Sequence, residues 1–425
     1  MKTRLPLVAL AAAGVTLAAA IVALNFSHRE KRIGQRIRRL YSAADPDFGR
    51  AMGVLLGPAI VGGNRVEVLL NGHRIFPAML AAIQNARTSI NFESFIYWSG
   101  TVGRQFADAL AERSRAGVKA HVLLDWVGSN KMDPAQLDEM ARAGIEVRRF
   151  HQLHWYNLGR MNNRTHRKVL VVDGRVGFTG GVGIADQWAG DAQDPAHWRD
   201  THFRAEGPVV AQMQAVFLDN WIKATGAVLH GPDYFPALKP AGSCPAQMFS
   251  SSRSGGSESM QLMYLLAITA AQRSIHLSTA YFVPDRLTLR TLADALRRGV
   301  KVQIIVPGEH ADAESVRRAS RARWGPLLAA GAEIYEYLPT MYHCKVMIVD
   351  SLLVSVGSTN FDNRSFQLND EANLNVYDAG FAERQIGIFQ DDLARSRRVS
   401  LQEWKNRPRA EKVWERAASL LGSQM

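Results

Sequence analysis

His166-Arg167-Lys168-Val169-Leu170-Val171-Val172-Asp173 stands in the first half of the chain, and His343-Cys344-Lys345-Val346-Met347-Ile348-Val349-Asp350 stands in the second. Between Lys and Asp both copies are apolar and mostly β-branched, which predicts a buried strand. His and Lys, two apart, share one face of such a strand. Asp, seven from the His, has the opposite parity. It is expected to leave that face and organise the following turn, helped in the first copy by the hairpin-type pair Asp173-Gly174.

Outward from these stretches the chain reads twice. Helical segments Pro77 to Ala86 and Leu262 to Gln272 lead to the strand-like Ser89-Ile90-Asn91-Phe92-Glu93-Ser94 and Ser274-Ile275-His276-Leu277-Ser278-Thr279. Amphipathic segments Phe106 to Ala116 and Leu292 to Arg298 each end at a Gly, suited to a helix C-cap, before an apolar strand. Strand alternating with helix predicts an α/β fold: two similar halves, each a mixed β-sheet flanked by helices, with the site at their interface. An offset of about 180 residues is too long for a solenoid repeat. The Ser-, Gly- and Pro-rich stretch 240–258 reads as the loop joining them. The expected organisation is an anchor at 1–27, a basic linker at 28–58, halves at 59–240 and 241–380, and an amphipathic tail at 381–425.

The chain has 425 residues, 51 Lys and Arg against 39 Asp and Glu, and a net charge of +12. That balance fits a globular chain with an anionic partner: nucleic acid, a phospholipid surface or a phosphorylated substrate. Two cysteines, Cys244 and Cys344, are too few for a disulfide framework or a Cys-based zinc site. Cys344 points away from the His343 face and reads as a small core residue. Leu5 to Phe26 is uncharged and exceeds the roughly 20 residues that cross a bilayer as a helix. Arg29, Lys31, Arg32, Arg36, Arg38 and Arg39 follow it, so the positive-inside rule predicts a single-pass anchor with a cytoplasmic body. A cleaved signal is the rival reading of that run. Half of the positive excess lies in the first 50 residues, which moves the expected partner from nucleic acid to an anionic membrane surface.

One His-Lys pair on a strand can be a satisfied core histidine beside a snorkelling lysine. Two copies at the same place in a repeat point instead to an anion site. Lys168 and Lys345 would neutralise a phosphate while one imidazole of His166 and His343 attacks it and the other moves the proton. The lysines supply the positive charge, so no metal and no cofactor is expected. The turns Gly180-Gly181-Val182-Gly183 and Gly357-Ser358-Thr359-Asn360 allow close backbone approach to a phosphate; Gly180, Gly181, Ser358 and Asn360 are the candidate contacts.

His-x-Lys-x4-Asp-x6-Gly-Ser-x-Asn, present twice, resembles the phospholipase D superfamily. The second copy matches throughout; the first departs with Gly181 for Ser and Gly183 for Asn. Phe92-Glu93-Ser94-Phe95-Ile96-Tyr97, Trp198-Arg199-Asp200-Thr201-His202, Ala280-Tyr281-Phe282-Val283-Pro284-Asp285 and Asn369-Asp370-Glu371-Ala372-Asn373-Leu374 resemble the bacterial cardiolipin synthase branch. So does Leu401-Gln402-Glu403-Trp404. The resemblance covers residues 60 to 425. It implies His166, Lys168, Asp173, His343, Lys345 and Asp350 as catalytic residues, with Asp200 and Glu371 orienting the imidazoles; which carboxylate serves which His stays open. It further implies a two-step transfer through a phosphohistidine, His166 as nucleophile, phosphatidylglycerol as acceptor, glycerol as leaving group, and a bacterial inner-membrane location. A phospholipase D-type hydrolase and a nuclease of the same fold are the alternatives. Oligomeric state is left open. His151, His154, Trp155 and Tyr156 form a polar aromatic stretch before the first motif, readable as a lipid-facing loop or an ordinary surface loop. The tail from Arg395 to Arg416 reads equally as an interfacial helix or as one packed on the body.

Overall fold

The computed structural model describes residues 13–17, 19–20, 33, 35–39, 41–152, 163–252 and 258–420. The first half contributes strands β1 (Val61–Leu70), β2 (Ser89–Ser94), β3 (Lys119–Asp125), β4 (Glu146–Phe150), β5 (Arg164–Thr165), β6 (Val169–Val172), β7 (Val176–Gly180) and β8 (Thr201–Glu206). The second contributes β9 (Cys244–Ser251), β10 (Ser274–Thr279), β11 (Phe282–Val283), β12 (Lys301–Pro307), β13 (Glu333–Tyr337), β14 (Lys345–Val349), β15 (Leu353–Gly357), β16 (Phe361–Asp362), β17 (Asn369–Tyr377) and β18 (Ser396–Val399).

One 16-stranded sheet runs in the order β18-β13-β12-β10-β14-β15-β17-β9-β1-β8-β7-β6-β2-β3-β4, with β5 paired to β17. From β13 to β9, and from β4 to β1, the order is the same repeat read toward the centre. In each half three parallel strands (β2, β3, β4; β10, β12, β13) join an antiparallel run that begins with the strand of the His-Lys motif. β1 pairs antiparallel with β9 and makes the sheet continuous across the halves. The inner parallel strands β2, β3, β10 and β12 are buried on both faces, as crossover helices require. Helices Thr101–Arg115 and Arg286–Arg297 deliver the chain into β3 and β12 through Gly117 and Gly299, both at positive φ, the backbone setting that the predicted C-caps need.

Each half has its own apolar core. A third cluster mixes both halves: Val169, Val171 and Phe203 pack with Val346, Ile348 and Val354 beneath the helices Val209–Thr225 and Ala379–Ala394. These two helices occupy corresponding places, so residues 381–394 belong to the second half. Ser396–Val399 is the edge strand beside β13, and the segment that stands apart as a tail begins after it. The junction 240–258 also differs from its loop reading. Cys244–Ser251 is β9, a central strand, because pairing with β1 and β17 outweighs its local turn-like composition. Among the described residues no helix is long and apolar enough to cross a membrane. Most of the Leu5 to Phe26 run lies outside them; 13–17 and 19–20 within it are helical. His154, Trp155 and Tyr156 also lie outside the described residues.

Asp173 and Asp350 close β6 and β14 at φ 53° and 54°. Their side chains leave the His-Lys face, as parity predicts, but they do not serve their own turn. Asp173 Oδ1 accepts the backbone N–H groups of Arg87, Thr88 and Ser89 at 2.7 to 3.0 Å. Asp350 accepts those of Gln272, Arg273 and Ser274 at 2.7 to 3.0 Å. Each carboxylate therefore pins the loop that enters the first parallel strand of its half. Neither is among the residues that line the cavity described below. Replacing Asp173 with Ala leaves three amides competing for water, and hydrogen bonds to a charged acceptor contribute about 1.5–3 kcal/mol. Asp173→Ala is expected to lower unfolding stability by roughly that amount, and Asp173→Asn by less, as read by denaturant titration.

Candidate active site

His166 lies between β5 and β6, and His343 just ahead of β14, so each histidine precedes its strand instead of sitting within it. The chain there is held by the opposite half. The His166 N–H donates to Asp370 O at 2.9 Å, and β5 runs parallel to the start of β17. The His343 N–H donates to Arg199 O at 2.8 Å, beside the bridge between Arg199 and Tyr342. Asp370 and Arg199 immediately precede the two candidate carboxylates. These backbone bonds therefore fix which carboxylate meets which imidazole.

The pairing is crossed. His166 Nδ1 lies 3.0 Å from both oxygens of Glu371, and His343 Nδ1 lies 2.7 Å from Asp200 Oδ2. Both carboxylates are fully buried. Each stays below the usual carboxylate range: burial pushes it up, but the facing histidine and nearby lysines outweigh that. An ionised carboxylate only accepts, so each Nδ1 carries the hydrogen and each Nε2 keeps its lone pair. Burial lowers the His166 pKa to about 4 and, with the Lys345 ammonium, that of His343 to about 3. Both rings are neutral near pH 7.

Lys168 Nζ donates to His166 O at 2.8 Å, and Lys345 Nζ to His343 O at 2.6 Å, with Lys345 also 3.0 and 3.2 Å from the His343 ring nitrogens. Burial brings the Lys168 pKa down to about 7. Two desolvated ammonium groups backed by two carboxylates form a site that gains by taking up an anion. Side chains from both motifs line one cavity of about 510 Å³. Its walls differ. Beside the two motifs, the first half supplies Phe95, Ile96, Val127, Arg164, Trp188 and Trp198; the second supplies Tyr281, Asp312, Val316, Asn360, Asp362, Arg364, Ser365 and Asn369.

The departures of the first motif have a steric cause. A Cβ at position 181 would overlap the Asp200 carboxylate, and one at 183 would press on Ile96 and Trp188. In the second half Ser358 Oγ donates to Glu371 Oε2 at 2.6 Å. In the first, Trp188 Nε1 fills that role, donating to Asp200 Oδ2 at 2.9 Å. Gly180 packs against β8, where a Cβ would meet His202. Gly181 and Ser358 thus make room for and hold the carboxylates, and Gly180 packs the strand beside them; none of the three is among the residues lining the cavity. Asn360 does line it, and its Oδ1 has no protein partner.

Trp188 and Asp312 were not singled out from sequence, and Tyr281 only within the quoted Ala280-Tyr281-Phe282; Tyr281 Oη donates to Asp312 Oδ2 at 2.6 Å. Two buried arginines were also missed. Arg167 reaches Val216 O and Asp219 on one flanking helix, and Arg199 grips Asp392 on the other through two bonds of 2.9 Å. The quoted Trp198-Arg199-Asp200 held that signal. Cys344 is buried, and its thiol is pushed up to about 12. His197 bonds Asp194 at 2.8 Å and His151 bonds Asp370 at 3.2 Å, both outside the crossed pairs.

The geometry gives two tests. Glu371→Gln should lower turnover roughly 10³-fold by losing the tautomer lock. In double-mutant cycles Glu371 should couple to His166 and Asp200 to His343; coupling within a half would refute the crossing. The depressed histidines also set an acid limit. Unfolded His166 and His343 bind protons below pH ~6.5, while the native rings resist until about 4 and 3, so stability falls as pH drops through that window. Thermal midpoints should fall from pH 7 to pH 5, and less so in His166→Gln/His343→Gln.

A family model described as cardiolipin synthase, PLD-like domain, matches residues 79–219 and 264–393. Cardiolipin synthase A of Pseudomonas fluorescens is 34% identical over 404 residues, spanning 95% of this chain and 83% of that protein. The cardiolipin synthase of Geobacillus kaustophilus is 34% identical over 361 residues, 84% of this chain and 72% of that protein. The solved structure of phosphatidylserine synthase from Haemophilus influenzae has the same fold: TM-score 0.67 at 14% identity, covering 89% of this chain and 100% of that one.

Proposed function

We propose, since the chain belongs to the cardiolipin synthase family with phospholipase D-like domains, that the crossed His–carboxylate pairs carry the family's chemistry here. The protein is a phosphatidyltransferase that makes cardiolipin by transphosphatidylation. The observation that carries this reading is the pair of neutral imidazoles, each backed at Nδ1 by a carboxylate of the other half and facing one cavity with Lys168, while Lys345 lies against the His343 ring.

In the first step His166 Nε2 attacks the phosphorus of phosphatidylglycerol. A P–N bond forms, the P–O bond to glycerol breaks, and His343 gives its proton to the leaving oxygen. His343 is neutral in the free site; the phosphodiester charge raises its proton affinity and so loads the acid as substrate binds. Lys168, Lys345 and Asn360 hold the phosphoryl oxygens as negative charge grows on them. Glu371 meets His166 with both oxygens and takes bonds from Ser358 and Asn369, which supports His166 as the ring that becomes cationic. In the second step the free hydroxyl of another phosphatidylglycerol attacks phosphorus, its proton passes to His343, and the P–N bond breaks. Aromatic groups on one wall limit water, which competes for the same intermediate.

The uncharged run from Leu5 to Phe26 and the basic cluster from Arg29 to Arg39 support a single-pass anchor in a bacterial inner membrane, with the body on the cytoplasmic side. Lipid extraction from a cardiolipin-deficient host tests the activity. Wild type should restore cardiolipin and His166→Ala should not. Phosphatidic acid as the main product from labelled phosphatidylglycerol would instead mark a hydrolase.

A further inference from the structure

The helix Arg409–Leu420 is built inside out. Its inward side carries Glu415, 2% exposed, which pairs with Arg407 at 2.6 Å and Arg321 at 3.5 Å. Ala410, Val413, Trp414 and Ala417 are all exposed and spaced as one helical stripe, with Ala410 and Trp414 at the rim of the groove against helix Glu314–Arg321; Val413 is 65% and Trp414 62% exposed. Arg409, Lys412 and Arg416 fall along one edge of it, and the exposed Glu411 along the other. The helix is firmly seated, since Arg407 covers the Trp404 ring at 4.0 Å and Trp404 Nε1 bonds Arg321 O at 2.8 Å. It packs on helix Glu314–Arg321, whose Val316 lines the active-site cavity.

An exposed Val-Trp pair with three cations against one carboxylate at its edges fits the headgroup layer of an anionic bilayer. A second copy is the poorer match, because four residues, two of them alanine, fall far short of the roughly 800 Å² per partner that a stable dimer buries. We infer that helix Arg409–Leu420 inserts Val413 and Trp414 into an anionic lipid surface. The inference rests on the phospholipid-transfer reading above.

The test labels Val413→Cys with an environment-sensitive fluorophore in full-length protein carrying Cys244→Ser; Cys344 is buried and does not react. In vesicles containing phosphatidylglycerol the emission should shift to the blue and be quenched by spin-labelled lipid. In phosphatidylcholine vesicles both effects should be much weaker. A probe that stays in water on both surfaces, or a Val413→Cys chain that cross-links to a second copy, overturns the inference. Separately, Val413→Ser/Trp414→Ser should raise the apparent KM for phosphatidylglycerol in mixed micelles about tenfold, with kcat unchanged. An unchanged KM overturns it as well. The fluorescence arm needs no turnover and is repeated in His166→Ala. Insertion without cardiolipin formation by the active chain would defeat the reaction alone, and cardiolipin formation with the probe in water would defeat this inference alone.

Discussion

Each imidazole in the cavity takes its orientation from a carboxylate of the other half, and this exchange makes the two halves one site. Glu371 without His166, or Asp200 without His343, would be an ionised group in a fully buried place, a costly arrangement. The halves must therefore meet before either His-Lys pair is set. The shared apolar cluster, the β1–β9 pairing and the backbone bonds from His166 to Asp370 and from His343 to Arg199 all hold that meeting in register. The buried arginines extend the same logic outward, tying Arg167 and Arg199 to the helices on either side.

Pseudo-symmetry stops at the cavity surface. The first half uses the shorter Asp200, a glycine at 181 and the indole of Trp188, while the second uses Glu371 and Ser358. The bulk of Trp188 excludes a side chain at 183, and the opposite wall keeps Asn360. The two walls therefore differ: the first half supplies more of the aromatic lining and the second more of the polar lining.

The motif, its spacing and its duplication were legible without coordinates, because local composition alone marks a buried strand flanked by His-Lys and Asp. The alternation of strand and helix and the Gly caps were legible for the same reason. β9 was not, since a central strand made of Cys244 to Ser251 owes its state to neighbours on both sides and not to propensity. The service that Asp173 and Asp350 render to the loops at Arg87–Ser89 and Gln272–Ser274 was not either, because the partners lie 76 to 86 residues away along the chain.

By itself the sequence determined the residue types of the site, the two-half organisation and the placement of half the excess charge beside the first hydrophobic run. Only the tertiary structure decided that Glu371 serves His166 and Asp200 serves His343. Parity along a strand says which side chains share a face, but not which distant strand that face will meet. The crossing is set by two backbone hydrogen bonds between halves, and no local pattern encodes them.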